Sequence, residues 1–169
     1  MRKSSMTHRA LIGVGSNIGL AAENCEKAIA LVNKSESVNV TAKSSLYESQ
    51  PVGKTNQAWF VNATIEVFTT LTPEELLQLL LNIEQEFGRT RKEKWGPRII
   101  DLDILDYEGL IMDSKVLILP HPEMTQRRFV LEPLCEIAGE TIHPLEKKMI
   151  SDLLKELPKT PVVKKITTS

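Results

Sequence analysis

This chain of 169 residues is short of cysteine, of histidine and of net charge, and each shortage removes a class of protein. Cys25 and Cys135 stand far apart with no Cys-x-x-Cys spacing, and the three histidines make no zinc-ligand pattern. Neither a disulfide scaffold nor a structural zinc site is expected, and a reducing cytoplasm suits the chain. Twenty-one basic and 22 acidic residues nearly cancel, to −1, so no global field draws the protein to nucleic acid or to a membrane. Any anion site must therefore be local. No apolar run approaches the roughly 20 residues a membrane span needs. The start carries positive charge, but the apolar run Ala10 to Val14 is interrupted by Gly13 and is too short for a signal peptide, and Met6 offers a second start. Two phosphate-binding motifs also fail. Gly53-Lys54-Thr55 ends like a P-loop, yet Glu48 stands where the first glycine is required, and Ile18 breaks the G-x-G-x-x-G spacing begun by Gly13 and Gly15. A nucleotide, if bound, is held by another design.

What is present fits one domain over 1–169, with 1–8 and 158–169 as flexible ends; a chain this long buries roughly 70% of its unfolded surface. Ala10 to Ser16 reads as a buried strand ending in a turn that Asn17 and Gly19 supply. Cys25, Ala28, Ile29 and Val32 give helical spacing within Ala21 to Val32, and Val38 to Tyr47 reads as a second strand. Ala58 to Thr69 alternates and is rich in β-branched and aromatic residues, which marks a third strand. Thr72 and Glu75 form a capping box with Pro73 at the first helical position, and Leu76, Leu80, Ile83 and Phe87 form the stripe of the helix that follows. A strand from Ile99 to Leu105, a short strand ending at Pro120, helices near Phe129 to Ala138 and Ser151 to Leu157, and a frayed tail complete the chain. Strand, helix, strand, strand, helix, strand is the order of an α+β, ferredoxin-like sandwich with helices on one face of a mostly antiparallel sheet.

Within Ile99 to Leu105, period-two alternation sends Asp101 and Asp103 to one face and Ile100, Leu102 and Ile104 to the other. Two strand steps separate such Cα atoms by about 6.5–7 Å, which suits carboxylates sharing two magnesium ions roughly 3.5–4 Å apart. A strand with one wet face satisfies the same pattern. The preceding loop, Arg89 to Arg98, holds five basic residues and one acid in ten positions, including Arg89, Arg91 and Arg98, with Trp95 and Gly96 as marks of a lid. Guanidinium forks beside paired carboxylates can hold a magnesium polyphosphate; a solvated hairpin is the alternative. Glu84 lies at the edge of its helical stripe, where the macrodipole disfavours an acid; it orients Arg89 or Arg98, reaches a nucleotide, or forms a plain salt bridge. Prolines bracket His121 in a loop that continues to Arg127 and Phe129, a third candidate cluster for an anion and an aromatic ring.

Lys94-Trp95-Gly96-Pro97-Arg98-Ile99-Ile100-Asp101-Leu102-Asp103-Ile104-Leu105 resembles the signature of the 6-hydroxymethyl-7,8-dihydropterin pyrophosphokinase family. Gly15-Ser16-Asn17, Gln50-Pro51-Val52-Gly53, Phe60-Val61-Asn62-Ala63 and Pro120-His121-Pro122 continue the resemblance over about residues 9–145. It implies an enzyme of folate synthesis that moves a pyrophosphoryl group from ATP to a pterin alcohol. Asp101 and Asp103 would bind two Mg2+ ions, and Arg89 and Arg98 would contact the transferring phosphates. Glu84, Arg91, Trp95, Ile104, His121 and Arg127 would lie on the ATP side. Phe60 and Phe129 would sandwich the pterin, with Asn62 at its edge and Ser49, Gln50 and Val52 beside it. Arg128 stands where the family often has a small residue, which leaves open whether Arg127 or Arg128 meets ATP. Two rivals fare worse: an RNA- or metal-binding ferredoxin-like module calls for an aromatic RNP-type strand or a cysteine pair, and a phosphohydrolase has no need of Phe60, Asn62 and Phe129.

Overall fold

The computed structural model describes residues 7–50, 59–87 and 99–166. Its centre is strand β1 (His8–Ser16), which pairs antiparallel with β4 (Phe60–Thr69) on one side and with β5 (Asp101–Tyr107) on the other. Helix α1 (Ala21–Lys34) follows β1, and Gly19, at φ 65°, supplies the left-handed turn into it. Strands β2 (Val38–Lys43) and β3 (Tyr47–Ser49) both run along β4, and helix α2 (Pro73–Glu86) links β4 to β5. The path β5-β1-β4-β3, with every pairing among the described residues antiparallel, is the order of the ferredoxin-like sandwich.

Alternation along β1 divides the interior in two. Ala10, Ile12 and Val14 pack with Cys25, Ala28, Leu76 and Leu80 of α1 and α2. Leu11 points the other way, joining Leu105 to Leu131, Leu134, Ile150 and Leu153. Those last four belong to α3 (Arg128–Ala138) and α4 (Ile150–Lys155). Helices thus cover both faces of the sheet, where the sequence suggested one, because β1 and β5 carry apolar residues on both sides of their pleat.

The capping box at the start of α2 is complete: the Glu75 amide donates to Thr72 Oγ1 at 3.1 Å, and the Thr72 amide donates to the Glu75 carboxylate at 2.9 Å. The strand expected from Val38 to Tyr47 is split. Ser44 breaks it, its Oγ accepting the Thr64 amide at 2.9 Å in place of a regular ladder bond. A small hairpin of β6 (Met112–Asp113) and β7 (Ile118–Leu119) follows β5. The tail expected to fray after Pro158 instead contributes β8 (Val163–Lys165), which pairs with β3 from Ser49↔Val163 to Tyr47↔Lys165. Three residues, two of them exposed lysines, give too little pattern to read, and the partner strand supplies the order. His8, expected in the flexible amino end, is the first residue of β1, opposite Thr69. No described helix is long and apolar enough to cross a membrane.

Candidate active site

Residues opposite each other in antiparallel strands share a face, so register alone assembles a surface. Asp101 lies opposite Gly15 and Asp103 opposite Gly13; Gly15 in turn lies opposite Asn62, Asn62 opposite Tyr47, and Phe60 opposite Ser49. The acid pair, two glycines, the amide and the aromatic ring therefore stand on one side of the sheet. Asp103 is exposed and Asp101 half-buried. With glycines as their cross-strand neighbours, neither carboxylate has a side chain directly opposite it on β1. Two carboxylates on one face, two strand steps apart, are oxygen donors of the kind hard divalent cations take. Among the described residues no group of three or more His, Cys, Asp or Glu side chains converges as a ligand cluster.

Glu84 is buried, and its carboxylate accepts the backbone N–H of Leu102 at 2.8 Å, on the edge of β5 away from β1. This contact, between the two aspartates, could not be read from the helical stripe. Arg89, Arg91, Trp95, Arg98 and Val52, and with them the expected lid, lie outside the described residues.

The His121 loop is fastened to the sheet, its backbone N–H donating to Leu105 O at 2.9 Å. The ring Nδ1 accepts the Glu123 amide at 3.2 Å. Burial lowers the His121 pKa and the nearby Arg127 guanidinium adds to that, against the pull of Asp103 and Glu123. Burial thus favours the neutral imidazole, which lines the same recess as Asp103. Arg127 pairs with Glu123 and lies over the Phe129 ring, 5.6 Å from its centroid. Arg128 is turned away: it pairs with Glu132 at 2.9 Å and donates to Pro158 O at 3.2 Å. Of the two arginines left open by the sequence, Arg127 is the one beside His121 and Phe129.

A recess of about 320 Å³ opens at the β5 edge, lined by Asp103, Ile104 and His121 and also by Leu77, Lys115, Val116 and Ile118. Those last four were not picked out from the sequence: Leu77 lies beside the main stripe of α2, and Lys115, Val116 and Ile118 belong to a small hairpin that carries no period to mark them. A larger recess of about 520 Å³ lies elsewhere, lined by Arg9 and residues from Cys135 to Thr141. Its guanidinium is already paired with Glu66 at 2.6 Å, so it offers no comparable chemistry.

On the other flank, Ser49 and Asn62 are buried and joined by a hydrogen bond of 3.0 Å from Ser49 Oγ to Asn62 Oδ1. Gln50 is gripped by the tail: its amide donates to Val162 O at 3.2 Å, and its side-chain oxygen accepts the Val162 amide at 3.0 Å.

An acid pair next to an amide and an aromatic ring, on one face of an α+β sandwich, makes a candidate transferase site. Comparison with known proteins gives the particular kind. Residues 11–139 match the family described as 7,8-dihydro-6-hydroxymethylpterin-pyrophosphokinase. A Bacillus subtilis 2-amino-4-hydroxy-6-hydroxymethyldihydropteridine pyrophosphokinase is 48% identical over 135 residues, covering 80% of this chain and 81% of that protein. The enzyme of the same description from Methylorubrum extorquens is 42% identical over 147 residues, covering 83% and 93%. A crystal structure of wild-type Plasmodium falciparum HPPK-DHPS with pteroate matches with a TM-score of 0.72 at 16% identity. It covers 92% of this chain and 43% of that one, a likeness of fold. The chain belongs to the 7,8-dihydro-6-hydroxymethylpterin-pyrophosphokinase family.

Proposed function

We propose that this chain transfers a pyrophosphoryl group from ATP to 6-hydroxymethyl-7,8-dihydropterin, giving AMP and the pterin diphosphate, as one domain working in the cytoplasm on small molecules. The observation that carries the reading is the shared face on which Asp101 and Asp103 stand beside Asn62 and Phe60, in a chain of this family. The pterin hydroxymethyl oxygen attacks the β-phosphorus; a new O–P bond forms, the bond from the α-phosphate bridge to the β-phosphorus breaks, AMP leaves with that bridging oxygen, and the hydroxyl proton is lost to solvent. Asp101 and Asp103 would hold two Mg2+ ions with ATP, which supply charge neutralisation along the phosphates. Arg89 and Arg98 are assigned to the transferring phosphates, and Arg91, Trp95, Ile104, His121 and Arg127 to the nucleotide. Glu84 serves that side through the Leu102 amide. Phe60 and Phe129 take the faces of the pterin, Asn62 its edge, and Ser49, Gln50 and Val52 its rim. A neutral His121 can donate one hydrogen bond to a phosphate oxygen, from Nε2, while Nδ1 accepts from Glu123. Positioning and charge stabilisation carry such transfers, which ask little of a general base.

Separation of nucleotides after a single turnover tests the reading. AMP should form one-for-one with pterin diphosphate and only with Mg2+ and the hydroxymethyl pterin present. ADP as the main product, or equal AMP without pterin, overturns it.

A further inference from the structure

Asn62 is held from two sides, by Ser49 of β3 and by Gly15 of β1. On one side, Ser49 Oγ donates to Asn62 Oδ1 at 3.0 Å, and both side chains are buried. An amide whose oxygen is claimed in this way has its other end fixed as well, so Nδ2 is presented as the donor. Among the described residues Nδ2 makes no hydrogen bond of its own. On the other side lies Gly15, directly opposite Asn62 in the β1–β4 ladder. A Cβ built on Gly15 would come within 2.9 Å of Asn62 Nδ2, a distance real Cβ contacts do not tolerate. Its next neighbour, Val61 O, would be at 3.8 Å, ordinary contact, and Gly15 has no positive φ that excludes a side chain. Among the described residues, neither packing nor backbone geometry requires glycine at position 15. The amide of Asn62 does.

We propose that Gly15 and Ser49 are positioning residues for pterin recognition, holding the Asn62 amide in the one orientation that offers Nδ2 to an acceptor on the edge of the ring. The inference rests on the reading of Asn62 as the residue that meets that edge. Gly15 is suited to a second part in the same row, because it also stands opposite Asp101. It separates the amide that orients the acceptor substrate from the carboxylate assigned to the metal and keeps the space between them clear. A side chain there would push Asn62 off its hydrogen bond without unfolding the sheet, since what must give way is the end of a side chain and not backbone.

A double-mutant cycle with the full chain decides the matter. Ser49→Ala removes a single oxygen, and Gly15→Ala adds a single methyl. Each should raise KM for the hydroxymethyl pterin about tenfold, the size of one well-made hydrogen bond. Binding of a non-hydrolysable ATP analogue with Mg2+ should be unchanged. In the Asn62→Ala background neither substitution should add more than about twofold. Ser49→Ala that leaves pterin KM unaltered, or that costs as much in the Asn62→Ala background as alone, overturns the proposal, whatever Gly15→Ala does to folding. Asn62→Ala with normal pterin KM would instead sink the underlying reading of Asn62, which keeps the two failures apart.

Discussion

Opposite Asp101 and Asp103 stand Gly15 and Gly13, so no side chain of β1 stands across from either carboxylate. The alternation of aspartates with Leu102 and Ile104 was legible in the sequence, and so were Asn62 and Phe60 by resemblance. What Glu84 does was not, because a helical wheel shows a carboxylate at the edge of a stripe but not the strand amide it reaches across to meet. Asp101→Asn and Asp103→Asn should each lower turnover at least about a hundredfold, since even outer-shell partners of a bound metal cost 10- to 100-fold. Their melting temperatures should be equal to or above that of the parent, because relieving neighbouring carboxylates of charge removes repulsion. Near-normal turnover at moderate Mg2+ would refute the metal assignment. Glu84→Gln keeps an oxygen for the Leu102 amide, whereas Glu84→Leu leaves that buried donor unpaired at a cost of about 1–3 kcal/mol. Urea unfolding should therefore separate the two variants, and Mg2+ titration of activity should show the leucine variant needing more metal. Equal behaviour of both would mean that the hydrogen bond positions nothing.

At the scale of elements, helices with local punctuation were legible and short strands were not. The start of α2 is written in Thr72, Pro73 and Glu75, and the structure repeats it atom for atom. Thr72→Ala should cost about 1 kcal/mol of unfolding free energy, with no change in either substrate's KM; a loss below about 0.3 kcal/mol would show the cap to be dispensable. β3 and β8 have three residues each and owe their existence to a partner strand. No period can be read from three residues, and the Ser44 interruption depends on Thr64, twenty positions away in the chain. The helix boundaries near Phe129 and Ser151 moved by one residue at the start, to Arg128 and Ile150, within the ordinary fraying of such assignments.

The whole molecule carries a pH dependence that neither the composition nor any single motif reveals. His143 is buried in the loop between α3 and α4, where its Nδ1 accepts the Leu145 amide at 3.2 Å and the Glu146 amide at 3.0 Å. Those two donors require Nδ1 to be bare, so the neutral ring carries its proton on Nε2. Burial pushes the His143 pKa below its ordinary 6.5, against the attraction of Glu146 and Asp106. His121 is lowered in the same direction, by burial first. A histidine whose pKa is lower folded than unfolded is protonated first in the unfolded chain, so stability declines as pH falls through about 6.5 and levels off only below the folded value. Asp106, raised by burial, works in the opposite sense at more acidic pH, because the folded state holds its proton more firmly. Melting temperature should therefore be flat from pH 8 to 7 and drop between about 6.5 and 5.5. His143→Asn supplies an oxygen for the two amides and cannot titrate. That variant should lose part of the drop while remaining folded at pH 7.5; a slope between pH 7 and 5.5 as steep as the parent's would assign the effect elsewhere.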